Sequence, residues 1–504
     1  MKPFGLYVFI VFCFINSVKS QQTINAKLID SSSQKPLPYA TISLNNVSGI
    51  ISNENGYFQM YLTKTPTQND TLFISCLGYE TKRLAADKFT DSLVFIQPKS
   101  IDLKEILITN KNYSTQEIIE KTYHNLKANY DKDFIKSTLF YRASYFTNIL
   151  KHDVKINHST IPELNQSFID SILKDMPKNA DDYTEILANL YGKSGVLESQ
   201  KLDIIKASHL YDKNNEITFN DYEERFNSIL KKYIKRDSYF KIKSGIFGTK
   251  QDIDSTLFET NEEKETNAIV EEKKKEEQER KKNFLKYRKQ SISRIQHNSF
   301  IFEDSYLNFL EKPNRYIFNI EDYSFLNDNF VYKISFTPKG KEDYKGILYI
   351  NTEDFAIVRV DYENVRPLKD FRLLGISYKI YLKKGTLIYA KSSTNKYSLK
   401  YAEVEQGNTF GIKRPLKIIE KNKHTKGRRK QNELSSKIHF MVSNTEKKEL
   451  VIFENQSISE TMYSTLEEKP KVEPIYLPAY DPQFWKGYHV IEPNRAITEF
   501  KSIK

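Results

Sequence analysis

Apolar and polar residues alternate with a period of two along much of the second half of the chain. Such alternation predicts strands that bury one face, and two alternating runs around a short polar segment predict a hairpin. Hairpins are therefore expected around Asn351–Asp354 and around Lys383–Gly385. The predicted strands are 330–336, 346–350, 355–362, 378–382, 386–390, 396–401, 409–412, 415–419 and 437–442. Together they indicate a strongly curved antiparallel meander.

The N-terminal residues show a second, smaller set of strand-like runs. Strands are predicted at 24–30, 37–44 and 72–76, and a hairpin is predicted at 50–60. The run 50–60 contains Asn55–Gly56, a pair that readily adopts the positive φ angles of a tight hairpin turn. The spacing predicts a small all-β module between residues 23 and 98.

Four short motifs in this module follow one another in a recognisable order. Asp30 is followed by Lys35–Ala40, then by Asn53–Phe58, and last by Leu77–Tyr79. In this order they resemble the carboxypeptidase regulatory-like domain, whose members are seven-stranded, prealbumin-like β-sandwiches. The resemblance implies a structural or docking module without peptidase activity. Residues 101–108 also resemble the segment that often follows this domain in Gram-negative outer-membrane proteins.

Helical and strand patterns mix between the module and the meander. Ser114 lies three residues before Glu117, the spacing of a capping box, and apolar Ile118 and Ile119 open one face of the helix that it predicts. Further helices are predicted at 168–176, 183–190 and 222–233, and strands at 137–150 and 239–247.

Three other segments stand out by composition. Residues 261–290 carry mixed charge at helical spacing, which predicts a solvated helix or a disordered insertion, with a contact arm as the functional alternative. Lys421–Lys430 is a basic hairpin tip that either contacts an anionic lipid or polymer or is an ordinary exposed loop. Residues 470–504 predict an extended strap that ends in a short helix near Ile497 and packs its aromatic side chains inward: Tyr476, Tyr480, Phe484 and Trp485.

The whole order of segments also resembles a group of Gram-negative envelope proteins. In that group a regulatory-like β-domain and a helical region precede a curved sheet similar to the lipoprotein-carrier half-barrel. Residues 345–350 and 356–359 carry this second resemblance.

The first twenty residues indicate export. Lys2 precedes an apolar run over 4–18 and a small residue at Ser20, which predicts a signal peptide that is cleaved before Gln21. After cleavage Cys76 is the only cysteine, so an intramolecular disulfide is impossible. An exported chain without disulfides is typical of a large-core periplasmic or outer-membrane-associated protein. No later run is apolar enough for a transmembrane helix in the mature chain.

The charge balance bears on possible partners. The chain has 77 Lys and Arg residues against 65 Asp and Glu residues. This excess suggests either an anionic partner, such as lipid headgroups or a cell-wall polymer, or a lysine-rich solvated surface. Export and the lack of an aromatic-basic motif argue against nucleic acid as a partner.

The polar residues form no pattern that is typical of catalysis. His489 and Glu492 match the first fragment of a zinc carboxypeptidase site, but no later histidine could complete it. Cys76 is expected to be a small core residue rather than a nucleophile. Calcium could bind Asp30, Asn53, Glu54 and Asn55, but turn chemistry explains the same residues. We therefore predict no catalytic residues, no cofactor and no metal site.

The sequence as a whole predicts a mainly β chain with a helical middle region (α+β), made of a small β-sandwich and a curved antiparallel sheet. The predicted segments are a signal peptide (1–20), the regulatory-like β-sandwich (21–108), a mixed region (109–260), a charged insertion (261–290), the curved β-domain (291–460) and the C-terminal strap (461–504).

Three functions are compatible with this organisation. The first is a non-enzymatic envelope protein that acts in binding or assembly through an envelope protein, an anionic lipid or a polymer. The second is a periplasmic carrier or chaperone for a lipid, a lipoprotein or an apolar segment, and the third, a hydrolase, has the least support. The carrier would use an apolar lining that a packed core explains equally: Phe330, Tyr332, Ile334, Phe336, Leu348, Ile350, Ile357, Tyr381 and Ile388.

Overall fold

The structure is a computed structural model. It describes residues 22–45, 49–62, 64–99, 113–130, 133–245, 247–253, 266–327, 329–392, 395–424, 427 and 429–502. The predicted signal peptide and residues 101–108 lie outside these ranges. The chain divides into two compact units: the first comprises 1–102, 324–329 and 481–494, and the second comprises 103–323, 330–480 and 495–504.

The first unit contains seven strands in two sheets, as the resemblance to the regulatory-like domain implies. One sheet has the order β4-β1-β7 and the other β3-β2-β5-β6. Leu28, Ile42 and Ile74 are fully buried in its core. The strands are β1 (Gln22–Asp30), β2 (Thr41–Leu44), β3 (Gly49–Ile51), β4 (Tyr57–Leu62), β5 (Thr71–Ser75), β6 (Lys82–Ala85) and β7 (Leu93–Ile96).

The tight turn at Asn55–Gly56 is present, but it does not close a hairpin. Gly56 has a φ angle of 77°, and its amide donates to the carbonyl of Asn53 over 2.9 Å. However, β3 and β4 belong to different sheets, so the turn carries the chain from one layer to the other. The predicted hairpin was therefore wrong, because local turn chemistry does not specify which strands pair.

The second unit is dominated by one large, mainly antiparallel sheet. Its strands follow the order β13-β14-β15-β16-β18-β19-β20-β8-β9-β10-β21, while β17 pairs with β18 and the β11–β12 hairpin pairs with β19. The strands are β8 (Phe134–Ser159), β9 (Asn179–Lys193), β10 (Gln200–Tyr211), β11 (Ser238–Ser244), β12 (Phe247–Asp252), β13 (Tyr316–Leu326), β14 (Asn329–Pro338), β15 (Tyr344–Asn351), β16 (Ile357–Asn364), β17 (Lys369–Leu373), β18 (Ile376–Lys391), β19 (Tyr397–Asn422), β20 (Lys430–Ser457) and β21 (Ile475–Leu477).

The helices of the second unit interrupt this sheet in sequence. They are α1 (Thr115–Asn129), α2 (Gln166–Asp175), α3 (Lys213–Tyr233), α4 (Thr266–His297), α5 (Glu460–Thr465) and α6 (Arg495–Thr498). The predicted capping box of α1 is formed by Ser114 and Glu117. The charged segment is helical in α4, and a short helix stands at Ile497 as predicted. Within the described residues, none of the helices combines the length and apolar character that a membrane crossing requires.

Two local predictions were wrong. Residues 183–190 lie within strand β9 rather than a helix, because their backbone pairs with β8 and β10 on both sides. The segment Lys383–Gly385 does not turn but continues through the long strand β18. Gly385 instead makes room for an aromatic ring, because a Cβ atom there would lie 2.6 Å from the hydroxyl of Tyr362. The hairpin around Asn351–Asp354 is confirmed by the pairing of β15 and β16.

Cross-strand register sorts the residues of the large sheet into two adjacent rows on opposite faces. One row is entirely buried and almost entirely apolar: Ile334, Leu348, Val360, Leu387, Ala402, Leu450, Tyr141, Ile186 and Ala207. On the central strands, the residue adjacent to each member of this row belongs to a second, polar row. Its members are Asp361, Thr386, Glu403, Glu449, Arg142, Glu185 and Ser208. Side chains of one face therefore build a core while the other face carries charge.

Arg142 is the cation of the polar row, and it is buried. Its Nε lies 2.7 Å from a carboxylate oxygen of Glu185, and its Nη1 lies 3.6 Å from one of Glu449. The three side chains are at most 5% exposed. Removing the cation alone would leave two buried carboxylates without the positive charge that Arg142 supplies, which is more costly than never having buried the pair.

We expect Arg142→Met to lower the free energy of unfolding by about 3–5 kcal/mol, because it leaves Glu185 and Glu449 buried without a cation. Urea denaturation measures the change. Arg359→Met is the matched control, since Arg359 pairs with Asp361 at 24% exposure and should cost less than about 1 kcal/mol. A variant that also carries Glu185→Gln and Glu449→Gln should recover part of the loss. Equal costs for Arg142 and Arg359 would contradict this account.

A second buried cation makes stability depend on pH. Burial lowers the pKa of Lys400 to about 8, and its ammonium donates to the carbonyl of Phe453 over 3.1 Å. In the unfolded chain a lysine keeps a pKa of about 10.4. The folded protein therefore binds fewer protons than the unfolded chain between these two values, and its free energy of unfolding rises with pH in that window.

We expect Lys400→Met to remove this part of the pH dependence. Between pH 8 and pH 10 the unfolding free energy of the unchanged protein should rise relative to that of the variant, because only the unchanged protein loses a costly buried charge. Urea denaturation at several pH values measures the difference. A constant difference across this range would show that the Lys400 ammonium is not destabilised by burial.

Candidate ligand-binding site on the large sheet

The sheet of the second unit carries an apolar surface that is only partly covered. It lies where β17, β18, β19, β20 and β8 run side by side, and we call it the apolar face. Its first row consists of Leu373, Ile376, Ile412 and Phe440, which are opposite one another across the strands. Its second row consists of Phe371, Tyr378, Phe410, Val442 and Ile149.

The exposure of these side chains is unusual for the apolar side of a sheet. Leu373 is 57% exposed and Phe371 is 43% exposed. The other seven members of the two rows are partly exposed, and none is buried. Five strands at a spacing of about 4.8 Å make this apolar face about 19 Å wide. Contiguous exposed apolar surface of this kind commonly marks an interaction site.

The opposite face of the same strands is polar. The residues that alternate with the apolar rows include Lys379, Thr409 and Ser443, which stand opposite one another, and Ser377 and Lys151 one step along. A sheet with one polar face normally buries its apolar face against another layer. Among the described residues, such a layer lies on both sides of the apolar face but does not cover it fully.

Helix α2 and its neighbours at one end, and α4 with the segment that follows it at the other, provide that layer. At one end, Phe168 of α2 packs with Ile234 and with Phe240 of β11 in a small separate core. At the other end, Ser291 of α4 lies 2.9 Å from the hydroxyl of Tyr141, and the ammonium of Lys383 lies 3.9 Å from the ring centroid of Tyr306. The apolar face lies between these two covered regions.

A groove of about 610 Å³ continues the apolar face, and we call it the basic groove. His152 belongs to both, since it stands opposite Phe440 of the first row and also lines the groove. The lining residues are His152, Asp153, Val154, Lys155, Asp170, Leu173, Lys174, Lys413, Arg414, Pro415, Lys437, Ile438 and His439. Its volume is within the range of small-molecule binding sites.

Helix α2 is fixed against the edge of β8 beside the basic groove. Asn165 caps the helix by accepting from the amide of Phe168 over 3.0 Å. The side chain of Gln166 then bonds to β8 in two places: it accepts from the amide of Ile156 and donates to the carbonyl of Val154. These bonds satisfy the free backbone edge of β8 and position Leu173 and Lys174 in the groove wall.

The electrostatics of the basic groove are unbalanced. Five cationic residues border it against two carboxylate residues, Asp153 and Asp170. Three of the five, Lys155, Lys413 and Lys437, alternate with Val154, Arg414 and Ile438 on their strands, so their side chains are on the opposite face of the sheet from these residues. Asp170 accepts from the side chain of Gln166, and Asp153 lies 3.8 Å from His439. Arg414 donates to the carbonyl of Ser244. The four lysines of the groove form no ion pair with a carboxylate of the described residues, and all four are exposed. They are Lys155, Lys174, Lys413 and Lys437.

The residues that the sequence offered as a calcium site take part in turns. The Asp30 carboxylate accepts from the amides of Ser32 and Ser33 and from the hydroxyls of Ser33 and Tyr79. These hydrogen bonds, led by that of the Ser33 hydroxyl, lower the pKa of Asp30. Asn53 accepts from the amides of Asn55 and Tyr57. Turn chemistry therefore accounts for these residues, and the described part of the chain has no cluster of metal ligands.

The other candidate residues also have structural roles. A ring nitrogen of His489 lies 2.8 Å from the carbonyl of Tyr61, which ties the segment 481–494 to the β-sandwich of its unit. Cys76 is 8% exposed, as expected for a core residue. The strap packs Tyr480 beside buried Tyr183 and Leu210, and Trp485 is 4% exposed.

Six of the nine residues suggested as a carrier lining are core instead, while Phe330 and Ile388 are partly exposed and Tyr381 is 39% exposed. Tyr332, Ile334, Phe336, Leu348, Ile350 and Ile357 are buried, and the ring of Phe336 packs 4.6 Å from that of Phe309. A cavity beside this core, lined by Tyr389 and Tyr397, holds only about 30 Å³. The sequence does not reveal the apolar face, because its alternating runs have the same pattern as buried strands. Its one distinguishing signal in the sequence is the adjacent Leu373–Leu374 pair, which breaks the alternation.

Comparisons with known proteins identify the first unit more firmly than the second. Residues 24–108 match the family model described as a CarboxypepD_reg-like domain, which confirms the resemblance carried by Asp30 and the motifs after it. The match covers less than half of the chain, so it identifies this module and not a family for the whole protein. A search of curated proteins returned no match.

Among solved structures, similarity is weak. A LolA superfamily protein from Nitrosomonas europaea has 8% sequence identity and a TM-score of 0.17, and the alignment covers 70% of this chain and 97% of that one. The MucA/MucB complex of Pseudomonas aeruginosa has 5% identity and a TM-score of 0.15, with 65% and 92% covered. Scores this low carry no weight for the function of this chain.

Proposed function

We propose that this protein is a non-enzymatic, exported envelope protein whose large sheet binds an apolar ligand on the apolar face. One observation carries the proposal: two in-register rows of large apolar side chains are partly exposed between two helix-covered regions. A ligand such as an acyl chain or an apolar segment would complete the missing layer. The predicted signal peptide, and the lack of a disulfide in the described residues, where Cys76 is buried, support the envelope as the compartment.

The energetics favour an occupied apolar face. Burying apolar surface contributes about 25 cal/mol per Å², so covering the partly exposed side chains of the two rows together contributes several kcal/mol. The strands beneath are already paired on both sides, from β18 through β19 and β20 to β8. A ligand would therefore dock onto a rigid surface and would not have to order it, which keeps the entropic cost of binding low.

The absence of a catalytic arrangement is part of the proposal. The groups that most resembled catalytic or metal-binding residues are occupied in turns and backbone contacts, as Asp30, Asn53 and His489 show. The most buried charges, around Arg142, satisfy one another. Hydrolysis of ester or peptide substrates by the purified protein would contradict a purely binding role.

Docking to a protein of the envelope is a second candidate function, and it would use the β-sandwich. On the sheet β4-β1-β7, Tyr57, Lys27 and Leu93 are opposite one another, and Tyr57 and Leu93 are 47% and 50% exposed. Phe95, two residues along β7, is 42% exposed. If this surface docks to an outer-membrane protein, Leu93→Ser with Phe95→Ser should release the protein from the outer-membrane fraction and leave ligand binding by the large sheet unchanged.

The proposed function predicts a face-specific effect of charge on ligand binding. Phe410→Asp and Phe440→Asp should each weaken binding of the neutral fluorescent probe N-phenyl-naphthylamine by about tenfold or more, because each replaces an aromatic contact by a carboxylate. Thr409→Asp and Ser443→Asp are matched controls on the opposite face of the same strands and should bind normally. Probe fluorescence in a titration measures all four.

Two results would overturn the proposal. One is a native protein that does not bind the probe, and the other is equal binding by variants of the two faces. Because all four positions are partly exposed, the variants should fold, and circular dichroism establishes this independently.

A further inference from the structure

Strand β17 is an open edge of the large sheet. Among the described residues it pairs with β18 on one side, and no backbone group bonds to its outer side. All of its residues, Lys369–Leu373, are exposed. Edge strands present free N–H and C=O groups to other chains, so proteins usually cover such an edge or interrupt it. In the described part of the chain nothing covers this edge, and the strand contains no proline.

The backbone groups of β17 alternate between its two sides. The turn Leu374–Gly375 has positive φ angles at both residues and joins β17 to β18, so Leu373 at its end is hydrogen-bonded to β18. Residues of an antiparallel strand alternate between bonding to the partner strand and pointing their backbone groups away from it. Phe371 therefore also bonds to β18, whereas the N–H and C=O groups of Asp370 and Arg372 point outward.

Exposed apolar side chains are concentrated at the same edge. Phe371, Leu373, Leu374 and Val365 are all exposed, although they lie within ten residues of one another. Phe371 and Leu373 are the edge members of the two rows of the apolar face. Both rows therefore end at an uncovered strand, and a further strand that pairs with β17 would continue them.

The sequence of β17 is complementary to itself in the antiparallel sense. If two copies pair about Phe371, Asp370 of each copy lies opposite Arg372 of the other copy. Charges on an edge strand normally keep other strands away, but opposite charges in facing positions stabilise a pair of strands. Lys369 then lies opposite Leu373, which its aliphatic stem covers while its ammonium stays in water. The edge therefore favours a second copy of itself.

The backbone agrees with this register. Asp370 and Arg372 carry the outward N–H and C=O groups, so each of the two opposite-charge pairs is also a hydrogen-bonded pair. The two Phe371 residues form the non-hydrogen-bonded pair between them, with both rings on the apolar side of the joined sheet.

We propose that two copies of this chain associate by antiparallel pairing of their β17 strands about a two-fold axis at Phe371. The same strand is used on both sides, so the interface is isologous and the assembly closes at two copies. The row of the apolar face that ends in Phe371 continues into the same row of the second copy, which joins two apolar faces into one surface. This inference depends on β17 and does not require that the apolar face binds a ligand.

Sedimentation velocity of the protein from Gln21 to Lys504, over a series of concentrations, measures the association. We expect a dimer that dissociates on dilution. Asp370→Arg and Arg372→Asp should each weaken the dimer by about tenfold or more, because each places like charges opposite one another in both pairs. The double variant Asp370→Arg/Arg372→Asp should recover the dimer, because it restores opposite charges in reversed order.

A matched control changes the same charges elsewhere. Glu467 and Lys469 form an exposed ion pair with the same spacing, outside the strands of the sheet. Glu467→Arg and Lys469→Asp should therefore leave the association unchanged. Because the substituted residues of both sets are exposed, the variants should fold, and circular dichroism establishes this independently.

A cross-linking experiment tests the register itself. The Cα atoms of a non-hydrogen-bonded pair are about 4.5 Å apart, which is within the range of a disulfide. Phe371→Cys should therefore form a disulfide-linked dimer on mild oxidation, seen on a non-reducing gel. Leu373→Cys, whose partner would be Lys369, should link much less. Cys76 is buried and should contribute no cross-link.

Four results would overturn the inference. The first is a native protein that stays monomeric at every concentration, and the second is a dimer that neither single variant weakens, which would use another surface. The third is a double variant that remains as weak as the single variants, because the charge pairs would then not face one another. The fourth is equal cross-linking at residues 371 and 373. Probe binding by the apolar face is measured separately, so the proposed function stands or fails independently.

Discussion

The cross-strand register of the large sheet is the constraint on which the rest of the second unit depends. Long strands such as β8, β19 and β20 stay paired through most of their length, so the face of each side chain is fixed by its neighbours. A slip of one residue between β8 and β20 would move Arg142 to the apolar side and Tyr141 to the charged side. The ion pairs of Arg142 with Glu185 and Glu449 exist only in the observed register.

The same alternation produces both the core and the candidate site. Under α4 and the segment that follows it, the apolar side of the sheet is covered and residues such as Leu387 are buried. Where β17 to β20 and β8 run between the helices, the alternation continues but Phe371 and Leu373 remain exposed. The difference lies in the covering layer, and a ligand is the component that would supply it.

The sequence was sufficient for features that depend on local spacing. Period two in residues 330–362 predicted paired strands, and the motifs beginning at Asp30 predicted the seven-stranded sandwich. The sequence was insufficient where a residue is required by a neighbour that is distant along the chain. Gly385 suggests a turn, yet in the fold it accommodates the ring of Tyr362. The sequence also could not reveal the apolar face, since a buried row and an uncovered row have the same pattern, and only tertiary packing distinguishes them.

Native mass spectrometry of the protein from Gln21 to Lys504, isolated from the envelope without harsh detergent, tests the central claim most directly. The account predicts a population with a bound species of lipid mass, which tandem fragmentation should identify. In protein carrying Phe410→Asp the bound species should be absent, and in protein carrying Thr409→Asp it should remain. A folded protein that shows only its own mass, under conditions that preserve lipid complexes of other proteins, would contradict the claim that the apolar face is a ligand site.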